Sequence, residues 1–492
     1  MRWTAVQVAE TLGVSVPPGL DPMARMAGVS IDSRAVRPGE LFLAIRGPRH
    51  DGHSFVAGAL FRGATAGVVA REKYPEYPEE IRRKLFAVED TLVGLHRLAA
   101  RACEIWREAK PGRRIGAVAG SIGKTTTKEI LAALVAARFR VLKTQGNLNN
   151  EYGVPLTLLQ LDDEHDAAVV EMGMSHRGEL ARLAQIASPD AGVITRIAVE
   201  HLEFFSSIEE IALAERELIE NLAWPGATAV LNADDERVAR FADVARGNVI
   251  WFGMKDSAQF RAENIEERGM EGTAFDFVSP SGRARLELPL IGRHNVMNAL
   301  AALAAASVWS IGAAEAQNVF PALVPADKRG EVVRFQNGIT VINDSYNSSP
   351  TALNALAELL GATPGYRRRI LAAGEMLELG TSAPALHREC GNFAGSLAGI
   401  DWIVGVRGDA AELIRAAIDA GHAPERAKFF ENSDEAANFL AGFVTGGDLL
   451  LLKGSRGVKM EKILDAIDAR LKRTASAGAT AEAIEAGRKG SH

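Results

Sequence analysis

One pattern constrains this chain more than any other. An apolar run, Ile115-Gly-Ala-Val-Ala119, passes directly into Gly120-Ser-Ile-Gly123-Lys124-Thr125-Thr126, and a helical run follows from Lys128 to about Ala137. A strand, a glycine-rich turn and a helix in that order form a phosphate loop. Glycines let backbone N–H groups wrap an anion, and the helix N-terminus adds a favourable dipole. Gly120, Ser121, Gly123 and Thr126 therefore line the loop. Lys124 reaches the β- and γ-phosphates, and Thr125 offers its hydroxyl to Mg²⁺. The spacing is shorter than in the commonest version of the motif, because Val118 stands where its first glycine is expected.

Composition excludes several other classes. The chain has 492 residues, which predicts about three domains. Its formal charge of −6 argues against coating nucleic acid. With 47% hydrophobic and 24% charged residues it reads as globular rather than disordered. Two cysteines are too few for a disulfide framework or a zinc cluster and suit a reducing cytoplasm. No apolar stretch is long enough to span a membrane, and the N-terminal segment lacks the core of a signal peptide. A cytoplasmic location is expected. The segment from Thr474 to His492 has no hydrophobic period and is expected to be a disordered tail.

Short apolar strands alternate with helices along the rest of the chain, which predicts α/β architecture with parallel sheets. Candidate strands include ELFLAIRG and AGVVA, then HDAAVVEMG, DAGVITRI, TAVLNA and NVIWFG, and finally ITVINDSY, RRILAAGEM, DWIVGV and DLLLLKGS. Three regions are expected: 1–90, 91–318 with the phosphate loop, and 319–473 with Rossmann-like alternation.

Other residues suit nucleotide chemistry. Glu171 ends the strand AAVVE, where a carboxylate can meet a cation beside phosphates. His201 follows VITRI in the turn VEHLEFF. The loop Gly146-Asn-Leu-Asn149-Asn150-Glu-Tyr-Gly153 carries amides for a sugar or a peptide carboxylate, or is a turn using asparagine's backbone tolerance. Asp32-Ser33-Arg34 follows a candidate strand and suits a phosphate or uridine.

Taken in order, AGSIGKTTT, GNLNNEYGVP, VVEMG, HLEFF, LNADD, GRHNVMNALAA, NDSYNSSP, GEMLELG and KGSRG resemble the Mur ligases of peptidoglycan synthesis. The likeness runs from about Ser30 to about Lys459. NDSYNSSP, GEMLELG and KGSRG are most similar to the members whose acceptor is D-alanyl-D-alanine. The resemblance implies a UDP-sugar-binding domain, a central P-loop ATPase and a Rossmann-like acceptor domain. It implies that ATP phosphorylates the carboxylate of UDP-N-acetylmuramoyl-tripeptide, that the amine of D-alanyl-D-alanine attacks the acyl phosphate, and that Mg²⁺ assists. By position, Lys124 and Thr125 match the phosphate and Mg²⁺ contacts, and Glu171 and His201 the metal-binding pair. Asn295 matches a residue near adenine, Arg329 a γ-phosphate arginine, and Asp344 a carboxylate near the ribose. Ser33 and Arg34 match uridine-nucleotide contacts. Asn149, Asn150, Tyr346 and Asn347 are expected at the peptide substrates. A monomer is expected.

Two positions depart from the family. Relatives carry a lysine, carbamylated by CO₂, where this chain has Glu215, and Arg196 stands where they read asparagine. Ile211, Glu215, Leu218, Ile219 and Leu222 share one helical face by spacing, so Glu215 is a charge on an apolar stripe. It is expected to replace the carbamate as a metal ligand. Two alternatives stay open: a folylpolyglutamate-synthase-like amide ligase, and a non-catalytic nucleotide-binding protein on the same fold.

Overall fold

The strand that leads into the phosphate loop, Arg114–Ala119, is buried on both faces. Ile115, Ala117 and Ala119 pack with Trp106 and Leu158, whereas Val118 packs on the other side with Leu131 and Leu300. Apolar contact on both faces characterises a parallel strand covered by helices on each side. The computed structural model describes residues 3–47 and 50–474. All but the first residue of the expected tail, 474–492, lies outside the described residues.

Among the described residues three sheets organise the chain, with a two-stranded ribbon (Trp3–Thr4 and Arg25–Met26) at the start. The first is a parallel sheet of Val29–Ser30, Leu41–Leu43, Ala66–Ala70 and Leu85–Val88. The central sheet has nine strands. In it, Arg114–Ala119 lies between Ala167–Glu171 and Ala191–Ile194, all parallel. Their carboxyl ends therefore bring Gly120, Glu171 and Thr195 together at the point where the chain winds off in both directions, the usual ligand crevice of such sheets. The third sheet has six strands, and Asp448–Lys453 lies between Thr340–Asp344 and Arg368–Gly374. Its crevice holds Asp344 and Lys453.

The expected α/β architecture with parallel sheets and three domains is present. Two details differ. The helix after the loop spans Lys124–Ala136, so it starts four residues before the expected Lys128. Lys124, Thr125 and Thr126 thus form its first turn. The central sheet also continues through antiparallel strands Thr273–Ser279 and Gly282–Leu288, and the third sheet begins with an antiparallel strand, Glu331–Arg334.

Candidate active site

A cleft of about 1350 Å³ is lined by the central and third domains. Its floor is the phosphate loop. Gly120 and Gly123 have φ of +113° and +91°. A Cβ at Gly120 would lie 2.3 Å from Thr195 Oγ1, and one at Gly123 would lie 2.2 Å from Asn298 Oδ1. Glycine is required there by backbone and by space. Ser121 N–H donates to Arg196 O at 2.7 Å, so at Arg196 it is the main chain that holds the loop. Lys124 Nζ folds back on Gly120 O (2.6 Å) and Ser121 O (3.1 Å).

Carboxylates gather around this lysine. Glu171 is 2% exposed. Its Oε1 accepts from Asn149 Nδ2 at 2.8 Å, its backbone N–H donates to Thr144 Oγ1, and its Oε2 has no hydrogen-bond partner. Glu200 lies 3.8 Å from Lys124 Nζ and 3.7 Å from His201 Nε2. Burial alone would lower the Lys124 pKa, but Glu200, Glu215 and Glu171 outweigh it and hold it above the ordinary lysine value, with Arg329 opposing.

Glu215 departs from expectation. It is 1% exposed and does not line the cleft. From the buried face of the helix Ile208–Glu220 it reaches the underside of the loop, where Oε2 accepts the Gly120 N–H at 2.7 Å. Burial pushes its pKa up to about 7; Lys124 works against that shift and Glu200 adds to it. At this position, expected for a metal ligand, the carboxylate supports the loop backbone.

The third domain completes the cleft. Arg329, Asp344, Tyr346 and Asn347 line it together with the phosphate loop, His201 and Asn295. His201 Nδ1 lies 2.6 Å from the Glu378 carboxylate, and Glu203 N–H donates to Glu378 O at 3.1 Å, joining the two domains. Burial opposes protonation of His201, but Glu378 and Glu200 outweigh it and raise its pKa. Asp344 pairs with buried Lys453, which also donates to Asn347 O at 3.0 Å. Asn295 is buried; its amide donates to Ile291 O and its oxygen accepts from Asn298. Asn150 Oδ1 accepts from Tyr152 N–H at 3.2 Å and Gly153 N–H at 2.9 Å, closing the turn before the helix Gly153–Leu158, and Asn150 also lines the cleft; the left-handed backbone expected of the loop asparagines is not adopted.

Ser33 and Arg34 are not brought to this cleft. Arg34, 85% exposed at its side chain, is paired with Asp32 in the first domain. Glu200, Asn298, Glu378 and Lys453 were not singled out from sequence. Three of them sit within the quoted GRHNVMN, GEMLELG and KGSRG blocks, and Glu200 adjoins His201. The blocks were visible, but their internal partners were not.

Family models place these elements. The Mur ligase family catalytic domain matches residues 25–102, the Mur ligase middle domain 118–306, and the Mur ligase glutamate ligase domain 328–456. The chain is 34% identical over 437 residues to UDP-N-acetylmuramoyl-tripeptide–D-alanyl-D-alanine ligase of Bacillus subtilis, covering 89% of this chain and 92% of that protein. It belongs to the Mur ligase family. A crystal structure of MurF from Acinetobacter baumannii superposes with a TM-score of 0.83 at 29% identity, covering 95% of this Mur ligase and 99% of that chain. The MurF ligase of Thermotoga maritima in complex with ADP superposes at 0.76 and 28% identity, covering 90% and 97%.

The residues of this Mur ligase fit a divalent cation in one respect. Glu171 presents a buried carboxylate oxygen without a partner at the strand end, in the cleft that Thr125 also lines. Among the described residues no three His, Cys, Asp or Glu side chains form a ready metal cage.

Proposed function

We infer that this Mur ligase joins D-alanyl-D-alanine to UDP-N-acetylmuramoyl-tripeptide, forming a carbon–nitrogen bond at the expense of ATP in peptidoglycan synthesis. The observation that carries the chemistry is the single cleft in which Lys124 and Glu171 of the central domain face Arg329 and Asp344 of the third.

A carboxylate is a poor electrophile because its leaving group would be oxide. Its oxygen therefore attacks the γ-phosphorus of ATP, ADP departs, and an acyl phosphate results. The amine nitrogen of the acceptor then attacks the acyl carbon, phosphate leaves, and the nitrogen gives up its extra protons. Lys124 leaves its loop carbonyls to meet the β- and γ-phosphates. Arg329 approaches from the other domain and balances charge on the transferring group. Asp344 suits the ribose hydroxyls and Asn295 the adenine side. Asn149 orients Glu171, and Asn347 faces the acceptor side. Thr125, Glu171 and His201 are the side chains that would hold Mg²⁺, which neutralises phosphate charge when bound. Glu215 supports the loop from behind. Ser33 and Arg34 serve the uridine end of the long substrate, away from the reacting atoms. Both sides of the cleft come from one chain, which supports action as a monomer. UDP-linked and ATP substrates support a cytoplasmic site, with the product serving cell-wall growth, shape and division.

Mass spectrometry of the product from UDP-muramoyl tripeptide, ATP and D-alanyl-D-alanine tests this reading. The pentapeptide product with stoichiometric phosphate release is expected. Phosphate release that ignores the dipeptide, or equal use of L-glutamate, overturns it in favour of a non-catalytic or folylpolyglutamate-synthase-like role.

A further inference from the structure

Arg329 sits on a sharp reversal near the start of the third domain. Lys328 has φ +55° and Gly330 φ +71°, and Arg329 N–H donates back to Ala326 O at 3.0 Å. A long arginine on such a turn samples many rotamers unless something holds it. What holds it is Tyr346. Its ring lies under the guanidinium, 4.2 Å from carbon Cζ to the ring centroid, and its backbone N–H donates to Lys328 O at 3.2 Å. No carboxylate pairs with Arg329 among the described residues, so the aromatic face orients the guanidinium without neutralising it. The positive charge remains available. A planar guanidinium stacked on a ring keeps its in-plane N–H donors free for phosphate oxygens.

We propose that Tyr346 is a positioning residue that holds Arg329 toward the γ-phosphate, rather than a contact of the peptide substrate. This deepens the ligase reading and rests on it for the identity of the reaction. Both residues belong to the third domain, so the stack fixes the arginine to the body of the domain that carries the acceptor.

The test uses the full chain with Mg²⁺ and calorimetric titration of two probes, β,γ-imido-ATP and ADP, with a melting curve for each variant. Tyr346→Leu is expected to weaken the triphosphate about 3- to 30-fold, the range of a partly desolvated cation–π contact, while leaving ADP within about twofold. Tyr346→Phe, which keeps the aromatic face, recovers most of that loss. In the Arg329→Ala background Tyr346→Leu adds nothing. Where the leucine variant does not fold, Tyr346→Gln takes its place. Equal loss for ADP, additive losses in the double variant, or no recovery by phenylalanine overturns the proposal. In the ligation assay kcat falls with Tyr346→Leu while the KM for D-alanyl-D-alanine holds; a rise in that KM alone assigns the ring to the acceptor instead. If the wild-type chain fails to ligate, the ligase reading falls, and the nucleotide titrations still decide the role of Tyr346.

Discussion

The carboxylate of Glu215 accepts the Gly120 N–H at 2.7 Å, from a helix 95 residues further along the chain. The contact braces the first glycine of the phosphate loop from the side opposite the cleft. A carboxylate whose pKa is about 7 when folded and 4.5 in its ordinary state binds protons more tightly in the folded protein. Its contribution to stability is complete below about pH 4.5 and is lost as pH rises through 7. The nucleotide-free protein should therefore lose up to about 3 kcal/mol from this group between pH 5 and pH 8. Glu215→Gln should flatten that slope and be the more stable form at pH 8. Urea unfolding at several pH values measures it, and parallel curves for both proteins would sink the idea.

Because Glu215 is a carboxylate without modification, ligation should not respond to bicarbonate. Turnover measured in carbon-dioxide-depleted buffer, then with bicarbonate restored, should be the same. A dependence on bicarbonate would point to a carbamylated lysine elsewhere.

Lys124→Ala should abolish ligation and leave the fold intact. Lys124 is the cation placed to meet phosphate charge, and loss of a preorganised group of this kind costs roughly 3 kcal/mol or more, at least about 100-fold in rate. Phosphate release beside a melting curve checks both halves. Retained turnover would remove the loop from the mechanism.

Gly123→Ala meets two obstacles, a φ of +91° and Asn298 Oδ1 at 2.2 Å from the new Cβ. The backbone penalty alone is about 1–2 kcal/mol. Nucleotide affinity should fall sharply. Adding Asn298→Ala removes the clash and should restore only part of the affinity, because the backbone strain persists. Full restoration would show that space alone requires glycine.

Lys453→Met leaves the Asp344 carboxylate without its buried partner. Removing one member of such a pair typically costs about 3–5 kcal/mol. Asp344→Asn in the same chain should recover much of that loss, because no charge is then stranded. Denaturation of the single and double variants reads the difference; additive losses would show that the pair is not coupled.

Local features were legible in the sequence. The phosphate loop, the strand ends carrying Glu171 and Asp344, and the apolar face holding Glu215 each depend on neighbours within a few residues. Backbone conformation and side-chain periodicity are set at that range. The start of the loop helix was misplaced by four residues because Thr125, Thr126 and Thr127 are weak helix formers. Tertiary contact overrides them: Thr127 Oγ1 bonds Asn298 at 3.4 Å and the helix packs on Arg293–Ala306.

The sequence by itself determined that this chain builds parallel α/β sheets around a phosphate loop, since alternating apolar strands and glycine spacing admit little else. Only the tertiary structure decided which charges meet. Strand order places Gly120 beside Glu171 and Thr195, and packing of Ile208–Glu220 carries Glu215 beneath the loop. Contact between domains sets His201 against Glu378, and the sharp turn at residues 328–330 sets Arg329 on Tyr346. Such pairs join residues far apart in the chain, and an ion pair or a stack depends on separations of a few ångströms. Sequence spacing carries no information at that distance until the sheets have formed and the domains have docked.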